Sequence, residues 1–109
     1  MLERRITAYK SYFLDFMSAL DEGVVRKIYY ALDMLKVQDK VSAKFVKYLR
    51  DGIFELRIEY ESNIYRILFC FDKENIVILF NGFQKKSQQT PKNEINKAIK
   101  LKNEYYANK

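Results

Sequence analysis

Residues 53–91 read IFELRIEYESNIYRILFCFDKENIVILFNGFQKKSQQTP, three apolar runs separated by short polar gaps. In the first run, Phe54 to Tyr60, apolar and charged residues alternate strictly, the mark of a strand with one buried face. The second and third, Ile64–Phe71 and Ile76–Phe80, are nearly all apolar and read as interior strands covered at least partly on both faces. Together they make an antiparallel three-stranded meander, with the rest of the chain as its support.

Register decides what this meander displays. Facing residues of an antiparallel pair have a constant sum of residue numbers, and the parity of that sum sets which side chains share a face. An even sum for the first hairpin would place Arg66 among the apolar residues, unpaired, at a cost of several kcal/mol. An odd sum is therefore expected, with Phe54, Leu56, Ile58 and Tyr60 beside Tyr65, Ile67, Phe69 and Phe71. The same parity carried through Asp72–Asn75 adds Ile76, Ile78 and Phe80 to that face. The opposite face then holds Glu55, Arg57, Glu59, Arg66, Asn81 and Lys85 at one end, and Leu68, Cys70, Val77 and Leu79 at the other.

Working outward, RRITAY at 4–9 is β-compatible and reads as an extended edge strand. From Ser11 the spacing turns helical, with Tyr12, Phe13, Phe16, Met17 and Leu20 on one face. Asp21-Glu22-Gly23 breaks it, and a second helix follows from about Val24 to Val37 with Val25, Ile28, Tyr29, Leu32 and Leu35 as its stripe. So short a break predicts a helical hairpin packed on the sheet. Residues 38–44 are a polar connection, and Phe45–Arg50 an extended piece before an Asp51-Gly52 turn. After the meander, Thr90 as N-cap and Pro91 at the first helical position start a lysine-rich helix whose apolar stripe is a candidate cover for the greasy half of the open face. The expected fold is α+β: an N-terminal helical hairpin on a small antiparallel sheet with a C-terminal helix, forming one domain over residues 1–109.

The formal charge of +6 favours an anionic partner. No apolar stretch approaches the roughly 20 residues needed to cross a bilayer, Met1 to Arg5 lead into no signal-peptide core, and the single Cys70 fits a reducing compartment. A cytoplasmic protein with no membrane partner is expected. The absence of His excludes His-based triads. With one cysteine, a structural zinc site is not expected either, and neither metal nor cofactor is called for. No glycine-rich phosphate loop occurs.

Chemistry must therefore come from Arg, Lys, Tyr, Asp, Glu or Ser. Cleaving RNA requires deprotonating a 2′-OH, stabilising charge on phosphorus and protonating the leaving 5′-oxygen. Arginine suits the second task because its planar fork stays charged and binds phosphate oxygens in pairs. Lysine can move a proton when closely spaced cations lower its pKa. Arg57, Arg66, Lys85 and Lys86 form such a cluster in sequence, with Glu55 or Glu59 as a base or as mere counter-charges.

Gly52-Ile-Phe-Glu-Leu-Arg57, then Tyr65-Arg66-Ile67, then Gly82-Phe-Gln-Lys-Lys-Ser-Gln-Gln-Thr-Pro91 before a helix resembles the HigB-like, phage-derived branch of the RelE/ParE toxin superfamily. The resemblance spans about 40 residues in order and implies a RelE-like fold. It implies the toxin of a type II toxin–antitoxin pair, a ribosome-dependent mRNA endonuclease needing no metal, whose partners are mRNA on the ribosome and a cognate helix-turn-helix antitoxin. Arg57, Arg66 and Lys85 match the basic positions around the scissile phosphate, and Lys86, Asn81 and Lys47 are the expected RNA-binding residues. Some relatives place a late Tyr or His there. This chain has no His, and Tyr105 and Tyr106 close a predicted helix, so the general acid stays open. Two other readings remain: a toxin of this fold that inhibits a protein such as DNA gyrase, and an RNA-binding module without catalysis.

Overall fold

In the computed structural model, which describes residues 3–109, the chain runs β1 (Arg5–Ala8), α1 (Tyr12–Ser18), α2 (Glu22–Val37), β2 (Val46–Arg50), β3 (Ile53–Tyr60), β4 (Asn63–Asp72), β5 (Ile76–Lys85) and α3 (Lys92–Ala107). All five strands lie in one sheet, ordered β1-β5-β4-β3-β2. The meander is present, and β2 extends it through a two-residue turn. Asp51 and Gly52 there have φ of 51° and 80°, the left-handed pair that a tight hairpin needs. At the other edge β1 runs parallel to β5, Arg5 opposite Ile76 through Ala8 opposite Leu79. The sheet is therefore mixed, not wholly antiparallel as expected. Alternation in RRITAY marks an edge strand but carries no sign of its direction.

α1 lies on β5 and β1, and α2 on β3 and β1, so each helix docks separately on one face of the sheet. The expected hairpin is better described as two sheet-bound helices. Their core contains Phe13, Met17, Ile28, Leu32 and Leu35 against Leu56, Ile58, Ile67 and Phe69. Each such aliphatic or aromatic side chain, fully buried, contributes about 1.5–3 kcal/mol. The α2 stripe is rotated slightly from the expected one: Val24 and Ala31 are buried, whereas Tyr29 is exposed. Arg4 fastens the N-terminal strand to this layer. Its guanidinium donates to the Leu35, Gln38 and Asp39 carbonyls at 2.6, 2.5 and 2.9 Å, which meets the unpaired acceptors at the α2 C-terminus.

The β3–β4 register has the odd parity expected, with Phe54 opposite Phe69 and Arg57 opposite Arg66. The β4–β5 ladder departs from expectation and has two registers. Near the turn Asp72 faces Ile76 and Phe69 faces Leu79, while farther along Ile67 faces Gly82 and Ile64 faces Lys85. Lys73 takes a left-handed φ of 62°, and the connection is Lys73–Asn75, which reverses the parity. Ile78 and Phe80 therefore lie under α3, while Val77 and Leu79 lie under the N-terminal helices, the reverse of the sequence reading. A bulge at Phe80–Asn81, opposite Leu68, then restores odd parity. Just past it, a Cβ added to Gly82 would run into the Phe16 ring, so this glycine lets α1 settle on β5.

On the second face α3 covers Ile53, Leu68, Cys70, Ile78 and Phe80 with Ala98 and Leu101, as the greasy half of that face requires. Pro91 occupies the cap position, and Thr90 does not cap the helix. Its hydroxyl donates instead to Glu55 Oε1 at 2.7 Å. At the far end Asp72 accepts from Tyr105 Oη at 2.5 Å and Lys109 Nζ at 2.7 Å. No helix among the described residues is long and apolar enough to cross a membrane.

Candidate functional site

The direct pairing of Arg57 with Arg66 sends two guanidiniums off the same side of the sheet. Like charges directly across a ladder repel, so something must hold them. Glu55, two residues before Arg57 and only 2% exposed, sits between them. Its carboxylate lies 3.6 Å from Arg57 Nε and 3.5 Å from Arg66 Nε while accepting the Thr90 hydroxyl. Of the two glutamates proposed as a base, Glu55 is thus committed as a buried counter-ion.

The two arginines differ in exposure. Arg57 is half-buried, as an open site requires, but Arg66 is 5% exposed rather than free in solvent. Burial is tolerable because Glu55 supplies a counter-charge and Nη1 donates to the Tyr65 carbonyl at 3.1 Å. The Nε contact with Glu55 is an ion pair without a hydrogen bond, and Nε makes no other polar contact among the described residues. Burial, above all, pulls the Arg66 pKa down, with Arg57 adding to this and Glu55 opposing it. An arginine stays charged regardless.

Lys85, opposite Ile64 at the end of β5, shares this face. Its pKa is lowered, first by burial and then by Arg66, against Glu55, with Arg57 and Lys47 adding to the fall. Lys86 stands exposed beside it. One expected contact turns away from the site and another stands at its edge. Asn81 is 3% exposed, and its amide donates to Glu94 of α3 at 2.9 and 3.2 Å, because the bulge turns it beneath that helix. Lys47 faces Glu55 from β2 on the same side of the sheet, but it lies outside the groove that the arginines line.

That groove has a volume of about 970 Å³. It exists because pairing of β2 with β3 ends at Val46–Leu56, followed by one bond from Arg57 N–H to the Phe45 carbonyl. Arg57, Arg66, Lys85 and Lys86 line it from the α3 side of the sheet, and Lys27 and Tyr30 of α2 from the other side, with Lys44 and Phe45 also in its lining. Six cations thus meet one lining carboxylate, Glu59. The turn that closes β3 and β4 also lines it through Ser62, which with Glu61 is held at positive φ, 67° and 50°. Lys27, Tyr30, Lys44 and Phe45 escaped the sequence reading. The only signal was a lysine and a tyrosine three apart on the polar side of a helix, a pattern that solvated helices share.

Tyr105 and Tyr106 sit elsewhere. Their hydroxyls donate to Asp72 and the Phe71 carbonyl, and six residues separate Asp72 from Arg66 along β4, about 20 Å. The bond to Asp72, with burial next, pushes the Tyr105 hydroxyl up to about 12. Neither tyrosine is placed to donate a proton in the groove. Among the described residues no cluster of three or more His, Cys, Asp or Glu side chains could hold a metal ion. What the arrangement offers is a preorganised anion site: two guanidiniums with a fixed counter-ion behind them and an ammonium of lowered pKa beside them.

The family described as Phage derived protein Gp49-like (DUF891) matches residues 15–103, a span that contains every groove residue named above. No curated protein matches the chain in sequence. Among solved structures, the solution structure of the conserved hypothetical protein HP0894 from Helicobacter pylori is similar to it at 14% identity and a TM-score of 0.48. That likeness covers 77% of this chain and 94% of the other.

Proposed function

Because this chain belongs to the Gp49-like family of phage-derived proteins, a family of RelE/HigB-like toxins, we propose that it is the toxin of a type II toxin–antitoxin pair and cleaves mRNA on the ribosome. The observation that carries this reading is the groove wall on which Arg57 and Arg66, both backed by the buried Glu55 carboxylate, stand together with Lys85. Two guanidiniums held in place side by side offer the planar forks that phosphate oxygens fit. In the reaction the ribose 2′-oxygen attacks the adjacent phosphorus, and the bond from phosphorus to the 5′-oxygen breaks. Arg57 and Arg66 hold the phosphoryl oxygens as charge builds on them. Glu59, the carboxylate that lines the groove, takes the 2′ proton, and the Lys85 ammonium, made a readier donor by its lowered pKa, gives one to the departing 5′-oxygen. The products are a 2′,3′-cyclic phosphate end and a 5′-hydroxyl end.

In this reading residues 1–109 act as one domain in the cytoplasm and are neutralised by a helix-turn-helix antitoxin. The test is induced expression with message integrity followed over time. Growth arrest with new 5′-hydroxyl ends in translated message, both relieved by Arg66→Ala at equal expression, is expected. Arrest with intact message and blocked DNA supercoiling would replace it with inhibition of gyrase.

A further inference from the structure

The reading of the groove as an RNA site leaves its α2 wall unexplained. Tyr30 is 62% exposed and belongs to neither apolar core, yet it lines the same groove as the arginines, reaching it from the α2 side of the sheet. Phe45, the other aromatic side chain there, is partly buried and has the Lys44 ammonium 5.8 Å from its ring centroid. Tyr30 is therefore the aromatic face left open. Lys27 lies three residues earlier, on the same side of α2.

A phosphate occupies only a small part of about 970 Å³, so the remaining space must take what is attached to it. Six cations against one carboxylate favour a polyanion, and an open ring favours a π-surface. Nucleic acid supplies both. A base can lie on a tyrosine ring only if it is not already stacked in a helix, which selects single strands over duplex.

We infer that Tyr30 is a base-stacking residue: the groove takes single-stranded RNA with one nucleobase laid on the Tyr30 ring, a phosphate held by Arg57 and Arg66, and a neighbouring phosphate met by Lys27. This rests on the preceding reading and adds to it the residue on which a base is held. Stacking needs the ring and not the hydroxyl, and it carries no charge. It is thereby distinguishable from the contributions of the lysines and arginines.

The experiment is equilibrium binding of a single-stranded RNA of about ten nucleotides, and of a duplex of equal length, to the full chain at several salt concentrations. Tyr30→Ala and Tyr30→Leu are expected to weaken single-strand binding by roughly 5- to 100-fold, with Tyr30→Phe close to the original protein. None of the three should change the slope of log affinity against log salt, whereas Lys27→Ala should reduce it by about 0.7. Duplex binding should not respond to Tyr30→Ala. Tyr30 is an exposed helix position where alanine is favourable, so these variants fold. If Tyr30→Ala binds the single strand as tightly as the original protein while Arg66→Ala does not, the stacking role is wrong and the phosphate site stands. If the original protein binds no RNA, the stacking role is wrong, and the preceding reading is then decided by whether message is cleaved on induction.

Discussion

The sheet face beneath α3 ends in two buried carboxylates that lead opposite lives. Asp72 is covered by the last turns of α3 and accepts bonds from Tyr105 and Lys109, so its charge is met by one ammonium and one neutral hydroxyl. Glu55, near the start of α3, meets two guanidiniums and a hydroxyl, and beyond these Lys85 and Lys86 add still more positive charge. At the first end the charges balance and the helix closes over them. At the second, cations outnumber carboxylates and the surface stays open. A buried acid with matched partners is a clasp, whereas a buried acid outnumbered by cations is the back wall of an anion site.

The contrast can be broken at several points. The largest expected effect is Glu55→Ala, which leaves Arg66 buried beside Arg57 without a counter-charge. Loss of one partner of a buried ion pair costs about 3–5 kcal/mol, read as a lower midpoint in denaturant unfolding. An unchanged midpoint would show that Glu55 is not the support of the two arginines. Next is Arg66→Ala, expected to lower cleavage by about 100- to 1,000-fold. Arg66→Lys should fail too, because an ammonium cannot reproduce the paired contact.

Asp72→Asn should lower the melting temperature by less than Glu55→Ala and leave cleavage as it was. A loss of cleavage there would erase the distinction between clasp and site. The bonds from Lys109 and then Tyr105 hold the Asp72 carboxyl below its usual range. A depressed carboxyl stabilises the fold above its unfolded value of about 3.9 and loses that contribution as pH falls through the folded value. The stability gap between the original protein and Asp72→Asn should therefore be steady above about pH 4 and shrink in acid. The smallest effect belongs to Arg26→Ala, which removes an exposed helix pair with Glu22 that lines neither the groove nor the surroundings of Asp72. It should change stability by less than about 0.5 kcal/mol and cleavage not at all.

Much of this was legible in residue order. Strict alternation in Phe54–Tyr60 fixed the β3–β4 register, and with it the shared side of Arg57 and Arg66, because the wrong parity buries a lone charge. The alternation was silent on β5, where Ile76-Val-Ile-Leu-Phe80 is apolar on both sides and any register looks alike. Two departures there cancel: the three-residue connection reverses the parity, and the bulge at Phe80–Asn81 restores it. Lys85 reaches the arginines for that reason alone, a correct expectation whose route was hidden. The same bulge moved Asn81 under α3. Exposure was equally hidden, since nothing in the spacing shows that Glu55 rather than solvent would face Arg66. Lys27 and Tyr30 come from a distant helix, and only the three-dimensional packing brings them to the groove.

The parallel pairing of β1 with β5 bears on how the molecule forms. Arg5–Ala8 has no strand partner until Ile76–Leu79 exists, some seventy residues later in synthesis. Closing so long a loop is slow compared with forming local turns and helices. A nascent chain emerging N-terminus first therefore carries its opening strand unpaired through most of translation. The sheet beneath the basic groove is completed only once residues 76–79 have been made and can reach back to residues 5–8.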